Sequence, residues 1–326
     1  MGHDLAALER FTPVALNLDA EPSIDWGDLD GVRFSEPFFD QTIERWAGGP
    51  APRLVRTGLD ALAALDAAPS LDPAALIFHL SRCGSTLVSR LLATHPRTLV
   101  ISEPKPLNAL LMAGPPEFDA ERQAYLLRLL VRALGRRRTG GERHYVLKLS
   151  SWNVTRLALF RRAFPDAPLV WLQRAPSEIM ASISADPPGW MQLRHVPSQA
   201  EALFGIPAAS SAGLDAEEFC ARALAAMLAA ARGAEDAGAL LVDYRELPDA
   251  VWQRVAPFAG IALDDVATGR MREEARFHSK DTARRLFTGD PAETRPASDR
   301  AHALVADLAE PLYQALDRRR RAAPDV

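Results

Sequence analysis

Hydrophobic positions divide the chain into two regimes. Up to about residue 70 they are scattered among polar and acidic residues, with proline joints such as Gly49-Pro50-Ala51-Pro52. This stretch, 1–70, is expected to be a helical and irregular extension packed on the core of the protein. From residue 71 to 326, short apolar runs alternate with longer stretches of helical period. The runs Ala74–Leu80, Thr98–Ile101, Tyr145–Leu149, Leu169–Leu172 and Ala239–Val242 are nearly all apolar, as in strands of a parallel sheet covered on both faces. Helical spacing covers Ser85–Ala93, Pro116–Leu134, Val154–Phe164, Ser177–Ser184, Asp215–Arg232 and Asp249–Phe258. Alternating strands and helices predict a right-handed, doubly wound α/β domain, a central mostly parallel sheet between two helical layers. Arg272–Pro296 is expected to be a long ordered loop, and Ser298 to Arg319 a closing amphipathic helix.

The remaining bulk properties narrow the classes. With 326 residues and 48% hydrophobic content, the chain can bury a substantial core. A net charge of −4 gives no reason to expect nucleic acid or an anionic membrane as partner. The basic runs Arg136-Arg137-Arg138 and Arg318 to Arg321 are local and read as solvated helix ends. Two cysteines, Cys83 and Cys220, make no disulfide framework and no metal-ligand spacing. The histidines show no metal pairing either, so no metal is expected. The N-terminus has no apolar signal core, its Met-Gly-His-Asp-Leu-Ala start does not fit a myristoylation pattern, and no apolar run is long enough to span a bilayer. A soluble, cytoplasmic protein is expected.

The first strand runs into Ser81-Arg82-Cys83-Gly84-Ser85-Thr86 and then a helix. Successive backbone N–H groups and a helix N-terminus make an anion cradle. Gly84 permits close backbone approach, Ser85 and Thr86 add hydroxyls, and Arg82 adds the cation. A triphosphate loop would need Gly at position 79 and Lys at 85, where this chain has His79 and Ser85. The arrangement is P-loop-like without the lysine. Ser-Arg-Cys-Gly-Ser-Thr resembles the 5′-phosphosulfate loop of the sulfotransferases that use 3′-phosphoadenosine 5′-phosphosulfate (PAPS) and release 3′-phosphoadenosine 5′-phosphate (PAP). A P-loop NTPase-like three-layer fold is implied.

A second motif strengthens the resemblance. The family's site for the 3′-phosphate is an Arg at the end of a strand and a Ser eight positions later on the next helix, the places of Arg174 and Ser182. A guanidinium offers a forked, permanently charged contact to phosphate. Val242-Asp243-Tyr244-Arg245-Glu246-Leu247 resembles the family stretch whose tyrosine lies near the nucleotide, which implicates Tyr244. The stretch around Ser279 and Lys280 loosely resembles a segment that closes over the nucleotide. The likeness spans about Ala74 to Gly260 and covers nothing in 1–70.

Sulfuryl transfer needs alignment, a base and cations. Small-molecule sulfotransferases place a His two residues after a strand Lys. Here Lys148 is followed at that spacing by Ser150. The protein-tyrosine branch uses a glutamate after the second strand, and Glu103 stands there, so the resemblance implies Glu103 as base with Arg82 and Lys148 as cations. His144, a rival base, precedes its strand and sits at the wrong end of the sheet. Cys83 lies inside the loop and reads either as a reactive thiol or as a small buried residue. The resemblance implies an acceptor hydroxyl or amine on a small molecule, carbohydrate or peptide. Residues 104–144 and Ala185–Leu214 are expected to line its cleft, with Asp186 to Trp190 as a lid bearing an aromatic platform. Two other readings stay open at this point, an ATP-dependent phosphotransferase and a non-catalytic nucleotide-binding protein of the same fold.

Overall fold

In a computed structural model, which describes residues 8–19, 21–113, 118–211, 213–236, 238–289 and 297–323, the five apolar runs are the five strands of one sheet. They are β4 (Pro73–His79), β5 (Thr98–Ser102), β6 (His144–Lys148), β7 (Leu169–Gln173) and β8 (Leu240–Asp243). All pairs are parallel, in the order β5-β6-β4-β7-β8. The continuous apolar runs are explained by two cores. Leu76, Phe78, Tyr145, Leu147, Leu169 and Trp171 face one, and Ala75, Ile77, Val146, Val170 and Leu172 face the other. Alternate side chains of a strand point to opposite faces, so only a doubly covered strand needs every position apolar.

The expected helical and irregular extension is corrected. Residues 12–58 form a three-stranded antiparallel sheet, β1 (Thr12–Asn17), β2 (Ser23–Gly27) and β3 (Leu54–Gly58), with helix α1 (Phe39–Ala47) between β2 and β3 and α2 (Asp60–Ala64) after them. Its strands are short and carry ion-pairing residues such as Asp25 and Arg56 (2.6 Å). β2 also pairs with β3 across the whole of α1. Neither feature leaves a strong apolar period. Ile24 and Trp26 nevertheless join the main core.

The expected helices recur as α3 (Ser85–Ala93), α5 (Ala120–Leu134, capped by Asp119), α6 (Leu157–Ala163), α7 (Pro176–Ala185) and α10 (Ala216–Asp236), while α4 (Lys105–Met112), α8 (Pro197–Phe204) and α9 (Ala208–Ser211) are additional. A π-helical turn, Val251–Val255, leads into α11 (Ala256–Phe258), followed by α12 (Asp265–Glu274). The expected closing helix is two, α13 (Asp299–Leu308) and α14 (Glu310–Ala322), and Pro311 in the first turn of α14 suits a fresh start. α4 escaped the sequence pattern because prolines flank and enter its first turn. The start of the expected helix at Pro116 lies outside the described residues, as does 290–296 of the expected loop. The described part of that loop begins after α12 and is pinned by an antiparallel bridge of Phe277 to Leu286.

Arg136 and Arg138 are not a solvated helix end. They are 2% and 3% exposed. Arg136 donates to the carbonyls of Leu8 (2.8 Å), Phe11 (2.7 Å) and Leu65 (3.5 Å). Arg138 donates to Thr12 Oγ1 (3.1 Å) and to the carbonyls of Leu134 and Arg136 (2.8 Å each). Burial pushes both guanidiniums down to about 10. These two side chains fasten the N-terminal sheet to the end of α5.

Candidate active site

Every predicted chemical residue of the sheet lies at the carboxyl ends of the strands, where ligands bind in open α/β sheets. The loop after β4 carries Arg82 to Thr86. Glu103 follows β5, Lys148 ends β6 and Arg174 follows β7. The parallel register places Ser102 opposite Lys148, and Glu103 N donates to Lys148 O (2.8 Å). Register alone thus sets Glu103 beside Lys148, residues far apart in the chain.

Backbone conformation at this end is unusual. Arg82 and Glu103 have φ of 57° and 53°, and Gly84 has 79°. Non-glycine residues in the left-handed region cost about 1–2 kcal/mol each and cluster at functional sites. At Gly84 a side chain is excluded twice. Besides the positive φ, an added Cβ would meet Leu247 Cδ1 at 2.6 Å and Tyr244 Cδ2 at 3.0 Å. Gly84→Ala should therefore lower stability by more than the about 1 kcal/mol of the left-handed backbone alone, read as a drop in the urea midpoint at unchanged slope. An unchanged midpoint would contradict the packing of Tyr244 on this loop.

A cleft of about 540 Å³ opens over the strand ends, lined by Arg82 to Thr86, Glu103, Ser279 and Lys280. Ser85 and Thr86, the first residues of α3, belong to this wall. Lys148 is fully buried behind Glu103 and does not itself line the cleft. Its ammonium donates to Glu103 Oε1 and lies 5.4 Å from the ring centre of Phe38. Ser150 Oγ donates to Glu103 Oε2 (3.2 Å), Asn108 donates to Ser150 Oγ (3.0 Å), and Asn153 donates to Asn108 Oδ1 (3.2 Å). Burial alone would raise the Glu103 carboxyl. The adjacent Lys148 charge and the hydrogen bonds from Lys148 and Ser150 outweigh it and hold the group below the ordinary glutamate range. His79 Nε2 is 3.8 Å from Glu103 Oε1 and 2.8 Å from the carbonyl of Leu149. Burial, with the Lys148 charge, pushes His79 down to about 4, so it is neutral near pH 7.

Other expected residues are placed differently. Cys83 turns its thiol into the second core, with Sγ 3.4 Å from Leu172 O, and burial pushes it up to about 12. It is an inert packing residue whose backbone serves the loop. Arg174, Ser182 and Tyr244 do not line the cleft. Arg174 and Tyr244 flank the back of the loop. Arg174 Nε donates to Glu178 Oε2 (2.6 Å), Nη1 approaches Arg82 O (3.4 Å), and the guanidinium stacks 4.1 Å over the Tyr244 ring. Ser182 is half-buried on α7. Lys280 is exposed at the mouth, where partial desolvation and the Arg82 charge push it below the ordinary lysine range. Trp190 is an anchor, not an open platform. It is 7% exposed and packs on Phe204 (5.9 Å) and Phe219, and it lines the cleft together with Pro187 to Gly189.

Residues that the sequence did not single out for the site are Phe38, Asn108, Ser151 and Trp152. Asn108 and Trp152 carry no local signal. Phe38 comes from the N-terminal sheet unit, for which no motif existed. Among the described residues no group of three His, Cys, Asp or Glu could hold a metal ion, and no helix is long and apolar enough to cross a membrane.

No protein-family model and no curated protein matches the chain. Solved structures that resemble it include two sulfotransferases. Sulfotransferase STF1 from Mycobacterium tuberculosis H37Rv is 18% identical with a TM-score of 0.36, over 62% of this chain and 71% of that one. Sulfotransferase STF9 from Mycobacterium avium is 16% identical with a TM-score of 0.46, over 77% of each chain.

Proposed function

We propose that the protein is a PAPS-dependent sulfotransferase acting on a hydroxyl or amine acceptor, with Glu103 as general base and Arg82 and Lys148 as the cations. The observation that carries this reading is the Glu103–Lys148 pair, whose carboxylate lines the cleft and whose ammonium lies buried behind it, on the same strand-end surface as the lysine-free loop. A base and a cation side by side are what transfer to a nucleophile needs. The loop fits an anion on its own terms, because Arg82 Nε is buried with no hydrogen-bond partner among the described residues and Ser85 and Thr86, which open α3, line the same cleft.

The donor supplies an activated sulfuryl group whose S–O bond to phosphate breaks as the acceptor's bond to sulfur forms. Glu103 takes the proton lost by the acceptor. Lys148 turns from Glu103 toward the oxygens of the group in flight. This departure also frees the carboxylate to act as a stronger base, because the neighbouring charge that held it down has moved. Arg82, the α3 amides and the hydroxyls of Ser85 and Thr86 neutralise the charge left on the departing phosphate. Arg174, held by Glu178 and Tyr244, would take the 3′-phosphate with Ser182. Phe38, Asn108 and the Pro187–Gly189 segment form the acceptor side.

Isothermal titration with PAP and with AMP tests the donor. PAP is expected to bind at least about tenfold more tightly than AMP, the scale of one charge-assisted contact. Arg174→Ala should bring the two to similar affinity. Equal binding of PAP and AMP by the unaltered protein would sink the assignment.

A further inference from the structure

Each of the two cations assigned to the transferring group is held by an acid. Lys148 is held by Glu103, which the proposed reaction uses. Arg82 is held by Asp186, which it does not. Arg82 Nη2 donates both to the backbone carbonyl of Asp186 and to its carboxylate, Oδ2 at 2.6 Å. The arginine side chain is 12% exposed and the aspartate 77%. A carboxylate that could be fully hydrated is drawn instead onto a nearly buried guanidinium. Asp186 also ends α7, with its N–H donating to Ser182 O (3.1 Å). The next residues, Pro187 to Trp190, line the cleft. One residue therefore joins the anion loop, the helix bearing Ser182 and the acceptor wall.

We propose that Asp186 is a stand-in anion on Arg82, displaced when the donor's 5′ anion arrives, and that its displacement re-seats the 186–189 wall so that the acceptor side responds to donor occupancy. This rests on the reading of the cleft as a phosphosulfate site. A phosphate or sulfate group presents three acceptor oxygens, so it can engage Arg82, the α3 amides and the Ser85 and Thr86 hydroxyls together. The Asp186 carboxylate engages Arg82 alone. The displaced carboxylate has Lys280 close enough to feel its charge, which provides a second resting place at the cleft mouth. Pro187 and Pro188 have fixed φ, so movement of Asp186 passes along the segment to Gly189, where space is open.

Asp186→Asn removes the charge and keeps the shape and the backbone carbonyl contact. Titration of this variant with PAP and, separately, with inorganic pyrophosphate should show about two- to fivefold tighter binding of each, the scale of one exposed ion pair. Amide exchange in 189–195 should quicken in the unaltered protein on adding PAP and be fast in the variant from the start. Unchanged or weaker binding of both probes overturns the proposal, as does a failure of both proteins to bind either probe. If the unaltered protein ignores PAP but pyrophosphate binds the variant more tightly, the stand-in role holds and the nucleotide assignment falls.

Discussion

Glu103→Gln should lower kcat by about 10²- to 10⁴-fold, the usual contribution of a positioned general base, while PAP affinity stays within about twofold. The amide keeps the size of the side chain and a contact to Ser150, and removes the ability to take a proton together with the negative charge that faces Lys148. Turnover is read with any acceptor the enzyme accepts, and PAP binding by titration on the same preparation. Intact turnover in the variant would remove Glu103 from the role of base. The pH profile supplies an independent reading. The Glu103 carboxylate is held below the ordinary glutamate range chiefly because the Lys148 charge offsets the cost of burial. A base must be ionised to work, so the acid limb of kcat/KM, which reports the free enzyme, should lie below the usual glutamate value and activity should be flat through neutral pH. Lys148→Met removes the offsetting charge, so the limb should move upward in pH as kcat falls. A downward movement, or none, would mean that the pair is not the titrating unit.

Arg136→Met should destabilise the fold by about 3 kcal/mol, because removing a buried donor strands the carbonyls it served at about 1–3 kcal/mol apiece. Leu8 and Phe11, whose carbonyls take the two short bonds, are each 2% exposed, so water cannot replace the guanidinium. Methionine fills a similar volume and keeps apolar contact with Trp26, whose ring centre lies 5.4 Å from the Arg136 guanidinium. The loss should therefore report hydrogen bonding more than packing. Urea denaturation gives the magnitude, and a midpoint shift equivalent to less than about 0.5 kcal/mol, the range of ordinary surface substitutions, would refute the clamp. The consequence reaches the site. Phe38 belongs to the same N-terminal unit and lies over Lys148, so a loosened unit should raise the acceptor KM while PAP affinity is unchanged.

The sheet was legible because its strands are covered on both faces. Double burial writes each strand as a continuous apolar run, and all five runs became strands with ends within one or two residues. The loop after β4 was legible for a different reason, since Arg82 to Thr86 stand together within one turn of chain and line one cleft. The N-terminal sheet was not legible. Its strands are short, mix charge with apolar positions, and β3 finds its partner β2 across α1. The two buried arginines looked like surface charge because an arginine satisfied by backbone carbonyls leaves no acidic partner to notice in the sequence.

By itself, then, the sequence determined the parallel α/β class, the strand order of chemistry along the chain, and the residue types at the loop, at Glu103 and at Lys148. These depend on local period and local spacing. Tertiary structure alone decided which of them meet. Register set Glu103 against Lys148, folding of α7 brought Asp186 onto Arg82, and packing turned the Cys83 thiol inward while it carried Phe38 into the cleft. Contacts between distant segments are chosen by the summed burial of the whole core, and no short stretch of residues encodes that sum.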